Sequence, residues 1–225
     1  PSVITDTAYL SGGVPLDSYG SIGDYAVVAT NTGNPVYYKN GAATSDQTSS
    51  TTLSDLYNTW VLVGSNDWKL SWPTITGDNA VTSDLTAGNT LVINGTSVSV
   101  PVAPNNDIAG LSAAINTAAI DGVYSAVIDN KLCLYANAQA TADGSTADDG
   151  IIVINSAGST SGLITTLGLT ANTAFFAPVL QQSPSYQNPR WNASGDTPRP
   201  TGSVWNKINS VNLGTNMVEI GRAHV

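Results

Sequence analysis

The chain has little charge. Lysine, arginine, aspartate and glutamate together make up 10% of its 225 residues, against about 25% in a typical soluble domain. What charge exists is unbalanced: sixteen acidic and seven basic residues leave a formal net charge of −9. The basic residues are scattered singly from Lys39 to Arg222. Without a Lys/Arg cluster there is no footprint for nucleic-acid phosphates, and an anionic membrane surface is disfavoured for the same reason. No apolar run approaches the roughly 20 residues needed to span a bilayer as a helix. Histidine is confined to His224, which removes a Ser-His-Asp or Cys-His apparatus and any zinc site containing histidine. The single cysteine, Cys133, cannot form an internal disulfide. Its place in the pattern predicts a half-buried small apolar residue with no neighbour to activate the thiol. Neither a GxxxxGK[ST] loop nor a GxGxxG loop occurs. The expectation is a protein without catalytic, cofactor-binding or metal-binding residues.

The acids themselves are informative. All but Glu219 are aspartate, and aspartate favours turns and caps where glutamate favours helix surfaces, so the bias argues for strands and loops. Abundant Gly, Ser, Thr and Asn agree. Five Trp, nine Tyr and 41% hydrophobic residues are too many for a disordered chain.

The most legible stretch runs from Leu91 to Ala136. Asn94-Gly95 between two alternating runs is the strongest short-range hairpin signal. It pairs Ile93 with Thr96 and Leu91 with Val98, and puts Leu91, Ile93, Val98 and Val100 on one face. Ile108, Leu111 and Ile115 follow at helical spacing, with Asn105, Asn106 or Asp107 to cap the start and Asp121-Gly122 to close the helix. A second hairpin turns at Asp129-Asn130, pairing Val127 with Leu132 and Ser125 with Leu134. The unit reads hairpin, helix, hairpin.

These residues carry a resemblance. "LVINGTSVSV", "DIAGLSAAIN", "GVYSAVIDNKLCLYA" and "LITTLGLT" resemble, in that order, the small β-α-β module inserted into flagellins and flagellar hook-associated proteins. The likeness covers residues 86–173, and implies a module that decorates an extracellular filament.

Around it, strands are expected at 25–30, 36–39, 60–63, 151–154, 175–180, 202–208 and 216–220. Trp68, Leu70 and Trp72 alternate as a further strand would. Residues 183–200, with four prolines, read as an extended crossing. Trp-rich segments on both sides of the module share a composition it lacks. The fold class expected is therefore mainly β with a small α+β insertion: an outer domain at 1–76 plus 173–220, an inserted module at 77–172, and a tail at 221–225 of vector-derived appearance. Pro1 suggests a chain beginning within a longer protein or after processing. The outer core is expected from Trp60, Val61, Val63, Phe175, Val204, Trp205 and Ile208.

"GSIGDYAVVATNTGNPVYYKN", "WVLVGSNDWKLSWPTITG" and "SGDTPRPTGSVWNKINSVNLGTN" are similar to segments of tail sheath proteins of contractile-tailed phages. The sheath family's core domain, with its inter-subunit arms, has no counterpart here. The resemblance implies the outward-facing part of a sheath subunit in a virion tail, with copies of itself or other tail proteins as partners in the full assembly. It implies no catalysis and no cofactor. The isolated fragment is expected to be a monomer.

Other readings rest on particular residues. Tyr25, Tyr37, Tyr38, Trp60, Trp68, Trp72, Trp191 and Trp205, if exposed, would stack on sugar rings and make a carbohydrate-binding or adhesin module on a phage or bacterial surface. As core residues they need no ligand. A flagellar-type filament protein is a third reading. Asp143, Asp148 and Asp149 invite a calcium reading, but their spacing does not fit an EF-hand loop and solvated turns account for them. Asn94-Gly-Thr96 and Asn192-Ala-Ser194 match glycosylation sequons, the first already explained by its turn.

Overall fold

Tyr25-Ala-Val-Val28 and Val36-Tyr-Tyr-Lys39 are rich in the aromatic and β-branched side chains that suit a pleated surface, and both are strands. The computed structural model describes residues 2–30, 33–41, 56–141, 150–183, 200–209 and 214–220. The chain is mainly β and divides into two compact units. One unit comprises Pro1–Ala42, Leu56–Trp72 and Pro178–Val225, and the other comprises Ala43–Asp55 and Pro73–Ala177.

The first unit begins with β1 (Ser2–Ile4), followed by a small hairpin of β2 (Leu10–Ser11) and β3 (Val14–Pro15). β4 (Tyr25–Val28), β5 (Val36–Lys39) and β6 (Trp60–Leu62) join β1 in a four-stranded sheet of order β1-β4-β5-β6. β1 runs parallel to β4, and the other pairs are antiparallel. Side chains alternate across a strand, so each face of the sheet collects every second residue. Ile4, Ala26, Val28, Tyr37 and Trp60 pack on one face with Leu10, Val14 and Tyr19. Tyr25, Val36, Tyr38, Val61 and Val63 pack on the other with Trp68 and Val204. Both faces are covered, which is why all four residues of β5 are buried.

Trp68 reaches that core from a helix. The alternation of Trp68, Leu70 and Trp72 suggested a strand, but Asn66–Lys69 is helical, started by Ser65, whose Oγ accepts from the Trp68 N–H at 3.1 Å. A side-chain cap satisfies a donor that a strand would have paired with a neighbour, and the local signal overrode the alternation.

The second unit holds β7 (Ile75–Thr76), β8 (Thr90–Ile93), β9 (Thr96–Ser99), the helix Ile108–Thr117, β10 (Val123–Ile128), β11 (Lys131–Ala136), β12 (Ile151–Asn155), the helix Ser161–Leu167 and β13 (Ala174–Phe176). Both hairpins have the expected register. Ile93 faces Thr96 and Leu91 faces Val98, while Val127 faces Leu132 and Ser125 faces Leu134. Asn94 and Gly95 both have positive φ, 47° and 79°, as do Asp129 and Asn130, at 51° and 58°. That is the backbone a two-residue hairpin turn requires. The strands form two sheets, β13-β12-β8-β9 and β10-β11-β7. Leu91, Ile93, Val98, Ile108, Leu111, Ile115, Val127 and Leu132, the residues whose spacing marked them as core, belong to one cluster with Ile152, Ile154, Leu163 and Leu167.

Asp107 caps the first helix, accepting from the Gly110 N–H at 2.7 Å. The helix ends at Thr117 rather than at Asp121-Gly122, with Ala119 taking positive φ (50°) to break it. Gly122 instead lets β10 begin tightly against the chain at 137–140, where a Cβ would lie 2.2 Å from the Ala140 nitrogen.

The strand expected at 175–180 is two strands. β13 pairs antiparallel with β12, and Phe175 packs on the second unit's core, not in the outer core assigned to it. Pro178, which has no N–H for a ladder, follows before β14 (Leu180–Ser183). β14 runs parallel to β15 (Val204–Asn209), which pairs antiparallel with β16 (Gly214–Ile220). Val204 and Trp205 are buried as expected; the Ile208 side chain, assigned to the same core, is outside the described part of the structure. The crossing expected at 183–200 and the tail at 221–225 lie almost wholly outside the described residues.

Candidate functional site

Six of the eight aromatic side chains considered for sugar stacking lie inside. Tyr25, Tyr37, Tyr38, Trp60, Trp68 and Trp205 are all buried, and Tyr38 packs at a tilt between Tyr25 (ring centroids 4.9 Å apart) and Trp72 (5.2 Å). Burial raises the pKa of the Tyr37 and Tyr38 phenols. It raises that of Tyr25 further, with the neighbouring Tyr38 adding to the effect. Half-buried Trp72 retains some exposure, and its ring is covered so closely by Gly202 that a Cβ there would meet it at 2.4 Å. Trp191 lies outside the described residues. The six buried rings offer no exposed face for a sugar.

Two of the other sequence candidates, Cys133 and Asn94, are placed in the fold. Cys133 is fully buried rather than half-buried, because β7 pairs alongside β11 and its Thr76 hydroxyl lies 3.8 Å from the sulfur. Burial raises the thiol pKa. Asn94 of the first sequon uses its side chain as a brace: Nδ2 donates to Ile151 O at 2.9 Å and Oδ1 accepts from Val153 N–H at 2.8 Å. Its amide is thereby committed to β12. Asp143, Asp148, Asp149 and Asn192 fall outside the described residues. Among the described residues no group of three or more His, Cys, Asp or Glu is placed to hold a metal.

Sequence reasoning passed over Lys39, which is 2% exposed. Its ammonium donates to the carbonyls of Asp17, Tyr19 and Gly20 and sits 5.7 Å from the Trp60 ring centroid. Three acceptors satisfy the three donors of an ammonium group. The run Val36-Tyr-Tyr-Lys39 is the only local hint, since a lysine ending an aromatic strand usually reads as solvated.

One site with room for a ligand is in the second unit, where β9 and the helix Ile108–Thr117 flank an open groove of about 730 Å³. Two features of the sequence build it. The Asn94-Gly95 turn fixes β9 in register with β8, and β9 ends its sheet, with no strand beyond it among the described residues. The helix turns Ile108, Leu111 and Ile115 into the core and leaves Ala109, Gly110 and Ala113 on the groove. Small residues there keep the wall low. Asp107 is the one charged residue lining it among those described.

The chain matches no family model, no curated protein and no solved structure. The groove offers the side chains of Ser97, Ser99, Asn105 and Thr117, alanine surface and one carboxylate. Among the described residues no helix is long and apolar enough to cross a membrane.

Proposed function

We propose that this chain is a structural, non-catalytic virion protein: the outward-facing part of a contractile phage tail sheath subunit, decorated by the module. The observation that carries this reading is the way the module is closed on itself. Its incoming and outgoing segments are hydrogen-bonded together, Asp78 N–H to Gly168 O at 3.1 Å and Asn79 Nδ2 to Thr165 O at 3.0 Å. Its core is its own. A segment that leaves a β-rich body and returns beside its own start is the arrangement in which insertion disturbs a host domain least. This supports a decorating insertion on a filament-forming protein, as the two sequence resemblances imply. In the full assembly its partners are copies of itself or other tail proteins.

The carbohydrate-binding alternative is less favoured, because six of the eight aromatic rings it drew on are buried. Immunogold labelling of virions with antibody raised against the chain tests the proposal. Gold spaced along the tail shaft is the expected result. Labelling confined to the capsid, the tail fibres or a cell-surface filament would refute it.

A further inference from the structure

We infer that the groove beside β9 is a docking site for an extended cationic segment of a partner protein, held by strand addition to β9. The inference goes beyond the sheath reading and stands without it.

The first support is the edge. The Val100 N–H donates to Asn89 O at 2.7 Å, and the pairs Leu91–Val98 and Ile93–Thr96 continue that register. In an antiparallel ladder alternate residues point their backbone groups to opposite sides. Thr96, Val98 and Val100 therefore bond inward to the β8 side, and Ser97 and Ser99 direct N–H and C=O outward. Natural edges are usually blunted by shortness, charged side chains, proline or bulges; β9 is a short strand of four residues with Pro101 just beyond it. Ser97 and Ser99 themselves carry no charge, proline or bulge.

The second support is space. A strand added to β9 would lie about 4.8 Å from it, within the groove and under the helix. Ala109, Ala113 and Ala114 line that side, so the guest's side chains meet methyl groups and not bulk. An extended guest gains affinity from main-chain hydrogen bonds and specificity from alternate side chains.

Charge selects the guest. Residues 73–177 contain eight aspartates and a single basic residue, Lys131, for a net of −7. Asp107, exposed at the groove, uses Oδ1 for its helix cap, leaving Oδ2 for a cation. A second copy of the same acidic module would be repelled, as would an acidic strand.

The test uses the full chain, isotopically labelled, titrated at low salt with the blocked peptide acetyl-Lys-Val-Thr-Val-Thr-Lys-amide. Saturable shifts at Ser97, Ser99 and the helix wall are expected, with hydrogen exchange of the two serine amides slowed at least about tenfold. The same peptide with glutamate in place of lysine is expected to bind at least about tenfold more weakly. Ser97→Pro deletes an outward donor without touching the β8 ladder, and Ala113→Trp fills the groove. Each should abolish binding while the circular dichroism spectrum and melting temperature hold. Asp107→Asn keeps a competent cap and should weaken binding about threefold. Should Ser97→Pro fail to fold, Ala113→Trp decides. The inference is overturned if no saturable shift occurs, if the shifts map to other aspartates, or if Ala113→Trp binds as well as the unaltered chain.

Discussion

Two glycines of one short helix should respond to alanine in opposite directions. The helix Ser161–Leu167 ends on Gly168, which adopts a left-handed conformation (φ 65°, ψ 39°). The Leu169 N–H then reaches back to Ile164 O at 3.0 Å, satisfying a carbonyl the helix end would otherwise leave open. A Cβ at Gly168 would stand 2.8 Å from the Asn79 nitrogen and 2.9 Å from Asp78 Cβ. Both neighbours belong to the segment hydrogen-bonded to Gly168 itself, so the joint between the module's two ends has to open. The left-handed conformation costs alanine about 1–2 kcal/mol, and displacing packed backbone adds a contribution of similar size. We expect Gly168→Ala to lose about 2–4 kcal/mol, or roughly 10–20 °C of melting temperature in a domain of about a hundred residues. Gly162, in the same helix, has nothing within 4 Å of its would-be Cβ. Gly162→Ala should stabilise by up to about 0.5–1 kcal/mol, because it reduces the freedom of the unfolded chain. Thermal and urea unfolding of both variants, followed by circular dichroism, reads the difference. If the two variants melt together, the account of the Gly168 joint is wrong.

Asn94→Ala removes both side-chain bonds to β12 and places alanine at φ 47°; a loss of about 2–4 kcal/mol in urea unfolding is expected. Lys39→Met leaves three carbonyls in the first unit without their ammonium, which should cost about 2–4 kcal/mol and expose residues 17–20 to proteolysis. An unchanged digestion pattern would count against that role. Burial holds Tyr25, Tyr37 and Tyr38 neutral above the ordinary phenol value. Their contribution is complete below about pH 10, where unfolded tyrosine titrates, and is lost as pH rises from there through the higher folded values. Denaturant midpoints should fall over that range while tyrosinate absorbance lags; ordinary titration of all the tyrosines in the folded chain would contradict it. Replacing residues 78–172 with a short Gly/Ser linker should leave the first unit folded, since loop closure varies only as the logarithm of length. A melt without a cooperative transition would show that the two units share one core.

The sequence by itself determined the parts whose causes lie within a few residues. Asn94-Gly95 and Asp129-Asn130 both take positive φ, and such turns set the pairing of the strands they join, so both registers could be read directly. The spacing of Ile108, Leu111 and Ile115 marked a buried helix face for the same reason, and Asp107 was among the three residues able to cap it. Tertiary structure decided what depends on partners distant in the chain. Phe175 and Leu180 look continuous in sequence, yet β12 claims one side of Pro178 and β15 the other. Cys133 became fully buried when β7 joined its hairpin, and Lys39 when the loop at 17–20 closed over it. The groove beside β9 likewise has no sequence signature. Whether a strand is an edge depends on what fails to pair with it, and burial of a sheet's second face depends on which distant segment lands there. Alternation along one strand encodes neither.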